Sequence, residues 1–265
     1  MSNRRPHKTI SASDEETLTS GLFSDVTIKC ADKTWALHLI ILTTRCEFFR
    51  KALEADRFKE SKEKHVEIHE QDPVQVYWVI FFLYTGRAPS DLLALLEDDE
   101  TVMESCVDLF KIADFFTVDA LCTHAVDVFL EHIVKHAKRT QSIIKLWGQN
   151  PTVDECLDLR FIDRFFQVTS IVYSSGLPSF NRLKRPLLMY PSLTRYVVMR
   201  TIPFKQRLLG DRELSEFAQD NLAFMFNTDM TKRDAYIPPK CFTCRTPTDF
   251  ISGGSPEENK RQKTS

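Results

Sequence analysis

Glycine is scarce, with 7 among 265 residues. A phosphate-cradling loop needs several close glycines, because only a chain without Cβ lets backbone N–H groups crowd an anion. Gly21, Gly86, Gly148, Gly176 and Gly210 stand far apart, and only Gly253 and Gly254 are neighbours, in a polar tail. Nucleotide-binding loops are thereby excluded. No G-x-S-x-G, P-loop or H-E-x-x-H occurs, so the common hydrolase and metalloprotease signatures are missing too. Long apolar runs are also missing. "LHLIIL" and "VIFFLY" are far too short to span a bilayer. The opening "MSNRRPHKTISASDEE" is polar and lacks a secretory apolar stretch, so a cytoplasmic or nuclear location is expected, with no membrane contact. Neither sign of charge dominates. Lys+Arg number 35 and Asp+Glu 37, a net charge of -2 that recruits neither nucleic acid nor an anionic surface. The basic stretches "KRDAYIPPK" and "NKRQK" lack aromatic interleaving and a reading helix, so direct nucleic-acid binding is not expected.

Phenylalanine is abundant, at 20, which suits a helical protein with bulky packing surfaces. The seven cysteines are odd in number and mostly inside apolar segments, as reduced core thiols would be. Residues 1–19 read as unstructured. "SDVTIKC" alternates, with Val26 and Ile28 on one side, and predicts a half-buried strand. "ADK" supplies a turn and "TWAL" the hairpin partner. "HLIILTTRCEFFRKAL" predicts one helix, since Leu39, Leu42, Cys46 and Phe49 recur at helical spacing. "HVEIH" is a second alternating segment, with His65, Glu67 and His69 on its solvated side. Asp72 and Pro73 open a helix as N-cap and first residue, and Gly86 closes it. Between them Val76 to Tyr84 are apolar on every side, which predicts a central, fully covered helix.

Amphipathic helices follow in "TVMESCVDLFKIADFF" and "VDALCTHAVDVFLEHIVKHAK", the second with Thr117 as its cap. The pattern weakens from Lys135 to Asn150 and resumes with Cys156, Leu159, Ile162, Phe166 and Ile171 on one stripe. "GLPSFNRLKRPLLMYPS", with Pro178, Pro186 and Pro191, reads as loop. Two more helices are expected near Leu193–Met199 and Leu214–Phe226, and a polar tail from Thr228.

Several of these residues stand together in a known order. Ser24-Asp25-Val26 open the first strand, and His38 follows the second. Leu42 and "CEFFRKAL" lead to Phe49. "FKES" and "VEI" come next, then Asp72-Pro73 and Leu83-Tyr84-Thr85-Gly86. The segment 20–135 resembles a BTB/POZ domain. Asp25, His38, Leu42, Phe49 and Gly86 are the residues that mark the fold. The resemblance implies an α/β fold, mostly helical, in which a helical cluster is capped by a small β-sheet. Residues 136–228 would form an all-α extension and residues 229–265 a largely unstructured tail. Leu39 replaces the family's usual basic residue after the histidine, and Cys46 the serine of its Ser-x-x-Phe helix. No kelch repeat, zinc-finger array or MATH domain follows. The layout is similar to that of fungal BTB proteins.

The resemblance implies a non-catalytic interaction adaptor. Family members that recruit a Cullin-3-type ubiquitin ligase carry a hydrophobic-x-Glu motif before the third strand, and Phe58-Lys59-Glu60 fits it. The resemblance also implies that the helices near Tyr84 and after residue 100 complete that surface, so Phe58, Glu60 and Tyr84 are the candidate partner-binding residues. The alternative is a non-ligase scaffold of a transcriptional or chromatin-associated kind. A homodimer would use the N-terminal apolar residues Leu18, Leu22 and Phe23. Cys241 and Cys244 have zinc-ligand spacing, and His132 and His136 share a helix face that could join them. A structural zinc needs four ligands and no second C-x-x-C exists, so two free thiols and no cofactor are expected. Cys30 or Cys46 with His38 could make a nucleophilic pair, but both thiols sit in apolar patterns that suit inert core cysteine. His38 itself reads as structural, its ring bonding backbone groups left unpaired at a strand–helix junction.

Overall fold

The computed structural model describes residues 10–54, 62–146 and 157–227. Its sheet has three strands, β1 (Val26–Cys30), β2 (Lys33–Leu37) and β3 (His65–Ile68), ordered β2-β1-β3. β2 runs antiparallel to β1, with Val26 opposite Leu37 and Cys30 opposite Lys33. β3 runs parallel, with Thr27 opposite His65 and Cys30 opposite Ile68. A parallel pair needs a long crossover. Here it contains α2 (Leu39–Arg45) and α3 (Glu47–Ala52). Val26, Ile28, Cys30, Leu37, Val66 and Ile68 form the buried face, as the alternation predicts.

The expected single helix over 38–53 is broken. Cys46 is extended, at φ -143° and ψ 119°, between α2 and α3. Thr43 and Thr44 turn their hydroxyls back to the carbonyls of Leu39 and Ile40, which bends a helix. Tertiary anchors hold the break open. The Arg45 guanidinium donates to the carbonyls of Leu83 and Tyr84 at 2.7 and 3.0 Å, and the Cys46 thiol to that of Phe116 at 3.2 Å.

The central helix is α4 (Pro73–Thr85). Asp72 accepts from the Val74 N–H at 2.8 Å, and Gly86 closes the helix in a left-handed conformation, φ 68°. Val76 and Trp78 to Tyr84 are buried. The N-terminus departs from expectation: Ile10–Ser20 form a helix, α1, along α4. Its composition is polar, so periodicity hides it. Leu18, 7% exposed, is its anchor in the core, and Arg87 pairs with Glu15.

α5 (Ser90–Glu97) and α6 (Val102–Phe115) lead to α7 (Asp119–Leu146), a 28-residue helix. Thr117 does not cap it. That residue is left-handed, φ 55°, and its hydroxyl donates to the Phe116 carbonyl. α7 runs without interruption through the boundary expected at residues 135 and 136, so the extension packs onto a helix begun in the preceding segment.

The extension comprises α8 (Leu159–Ser174), α9 (Asn181–Leu193), α10 (Ile202–Gly210) and α11 (Ser215–Asn227). Two expectations fail here. The proline-punctuated stretch is helical: α9 holds both Pro186 and Pro191. Each proline forfeits a helix hydrogen bond. Burial of Leu183, Pro186, Leu187, Tyr190 and Pro191 offsets that loss. The helix expected at 193–199 is absent, because Arg195 and Tyr196 are left-handed, φ 52° and 59°. On α8 the predicted stripe is rotated. Leu159 and Ile171 are exposed, while Phe161, Ile162, Phe165 and Phe166 are buried. Among the described residues no single helix is long and apolar enough to cross a membrane.

Candidate functional site

His38 ends β2 and precedes α2. Its backbone N–H donates to the Tyr84 hydroxyl at 2.8 Å, and its Nδ1 lies 2.8 Å from the same oxygen. Its Nε2 lies 2.8 Å from the Leu22 carbonyl. A carbonyl only accepts, so Nε2 carries the proton and Nδ1 accepts from the Tyr84 O–H. One buried phenol therefore serves both the chain and the ring. Burial pushes that phenol up to about 12, which keeps its proton in place. Asp25 completes the junction by accepting from the Leu39 N–H at 2.7 Å, which satisfies the first N–H of α2.

These groups are structural. Leu42 and Phe49, on the two helices that follow, are fully buried. Tyr84, expected at a partner surface, is 1% exposed and spends its hydroxyl on His38. It cannot offer its ring to a partner. No Cys–His pair forms: the Cys30 thiol donates to the Gln71 carbonyl and Cys46 to that of Phe116. Burial pushes both thiols up, away from the reactive thiolate.

The junction has an outward consequence. The His38 ring grips the chain at Leu22, and Leu22 and Phe23 project into solvent, 62% and 87% exposed. Phe23 takes φ 64°, a conformation costly for a bulky residue. Ile40, two residues beyond His38 on the first turn of α2, is 68% exposed. Leu18, by contrast, is buried. Leu22 and Phe23, beside the carbonyl that the histidine holds, and Ile40, two residues beyond it, are thus exposed apolar residues close to it along the chain. Elsewhere Phe115, 42% exposed, lies with its ring 5.3 Å from that of Phe48 on α3.

Phe58, Glu60, Cys241 and Cys244 lie outside the described residues. Glu67 pairs with Lys29 at 2.7 Å, and that ammonium holds its carboxyl below the usual range. The outer face of β3 is thus an ion-paired surface. The one group of three residues with metal-ligating atoms among the described residues is elsewhere: Asp99, His132 and His136, whose atoms lie within 4.8 Å of one another. The i,i+4 spacing of the histidines was readable in the sequence. Asp99 was not, because it arrives from the turn between α5 and α6.

Residues 15–133 match the family model of the BTB/POZ domain. The match opens inside α1 and closes inside α7, so this part of the chain is a BTB/POZ domain, a protein-interaction module, joined to its extension through one helix.

Proposed function

We propose that this chain is a non-enzymatic adaptor whose BTB/POZ domain self-associates through Leu22, Phe23 and Ile40, leaving the helical extension to hold another protein. One observation carries the reading: Phe23 is an aromatic side chain 87% exposed on a left-handed backbone. Apolar surface held out at a conformational cost is the mark of an interface. Sedimentation of the wild-type chain should show a dimer. Phe23→Asp/Ile40→Asp should weaken it by about 30-fold, the scale of an interface hot spot. Both positions are exposed, so thermal unfolding of the variant monomer should stay cooperative. A monomeric wild type, or an undiminished dimer in the variant, removes the proposal.

A second reading concerns a Cullin-3-type scaffold. It is favoured by the exposed Phe115 beside Phe48 of α3, the helix that precedes Phe58-Lys59-Glu60 in the sequence. An exposed aromatic can fill a partner's groove while a nearby carboxylate selects orientation. Pull-down of Cullin-3 by the wild type should be lost in Phe58→Ala/Glu60→Ala and reduced in Phe115→Ala. Equal recovery by wild type and double variant, or none by either, rules this reading out.

A further inference from the structure

We propose that Asp99, His132 and His136 form a site for a divalent transition-metal ion of the zinc class, placed where the BTB/POZ domain meets the extension. His132 and His136 are one turn apart on α7, their ring centroids 4.6 Å apart. Both are at least nine-tenths buried, at 6% and 5% exposure, and the Nε2 atom of each has no hydrogen-bond partner among the described residues. Buried polar atoms are nearly always paired. Two unpaired ring nitrogens on neighbouring rings are lone-pair sites that the described residues do not use. If packing were the only requirement, apolar side chains would meet it at no such cost.

The surroundings suit a cation. Asp99 supplies the negative charge, with an oxygen 3.7 Å from His132 Nδ1. Phe161 of α8 stacks flat on the His136 ring, centroids 3.9 Å apart and planes within 5°, which fixes the ring's orientation. Two imidazoles and one carboxylate suit zinc, with the fourth position left to water. Lys135 and Arg139 now pair with Asp99. The Lys135 side chain is 46% exposed, so it can release the carboxylate and turn to solvent. Asp99 comes from the α5–α6 turn, the histidines from α7 and the stacking ring from α8. A bound ion would therefore tie the domain to its extension.

The test uses the full chain, stripped with a chelator, loaded with zinc sulfate and desalted. About one zinc per chain should remain, and zinc should raise the melting temperature reversibly. Asp99→Asn and His132→Gln/His136→Gln should each weaken zinc binding by about tenfold or more. Cys241→Ser/Cys244→Ser should keep the metal. Should the histidine variant not fold, Asp99→Asn decides, since that side chain is 40% exposed. Below about a tenth of an equivalent on the wild type, the proposal fails, because a structural zinc site holds its ion through desalting. It also fails if Asp99→Asn binds as the wild type does, or if the cysteine variant alone loses the metal.

Discussion

A chain ending at Lys135 should be recovered as aggregate, whereas one ending at Asn227 should be soluble and folded. Residue 135 is where the sequence pattern weakens, yet α7 continues to Leu146. The buried residues of both parts form one continuous core. Phe110 of the BTB/POZ domain is fully buried, with Phe180 of the extension edge-on at 5.5 Å and the Arg182 guanidinium 5.7 Å over its ring. Arg182 also bonds Asp119 at 2.7 Å, and Ser179 bonds Asp114 at 2.8 Å. Removing the extension uncovers that aromatic surface and strips these partners. A large exposed apolar patch drives association. Light scattering and the soluble fraction after expression check this. A monodisperse, cooperatively melting 1–135 fragment would show that the two parts are separable.

Phe165→Ala should destabilise the protein by about 3–5 kcal/mol, the range for truncating a buried phenylalanine. Phe165 is fully buried on α8. Its ring lies 5.2 Å from Tyr190 on α9, 6.1 Å from Phe204 on α10 and 5.9 Å from Phe217 on α11. No single neighbour can relax into the space, because each is held by the others. Because the core is continuous, the loss should appear as one shifted transition. Calorimetry distinguishes the outcomes. Two separate transitions, with only one moved, would contradict a shared core.

The candidate site was only partly legible in the sequence. His38 could be read as structural because a polar ring between a strand and a helix has backbone groups to satisfy. That its second bond would push Leu22 and Phe23 outward could not be read, since a bond to a carbonyl leaves no trace in residue type. Tyr84 was expected at a partner surface because the family resemblance puts its helix there, but its hydroxyl is committed to His38. His132 and His136 were visible as a pair. Asp99 joined them only through the path of the turn before α6.

Features that depend on neighbours a few residues away were legible along the chain. Alternation defined β1 and β3, and Asp72, Pro73 and Gly86 bounded α4, because a cap or a pleat is satisfied locally. The three-dimensional arrangement decided the break at Cys46, the helix through Pro186 and Pro191, the buried face of α8 and the unbroken run of α7. Each of these opposes a local preference. Each holds because long-range burial and hydrogen bonds outweigh the small propensity costs along the chain.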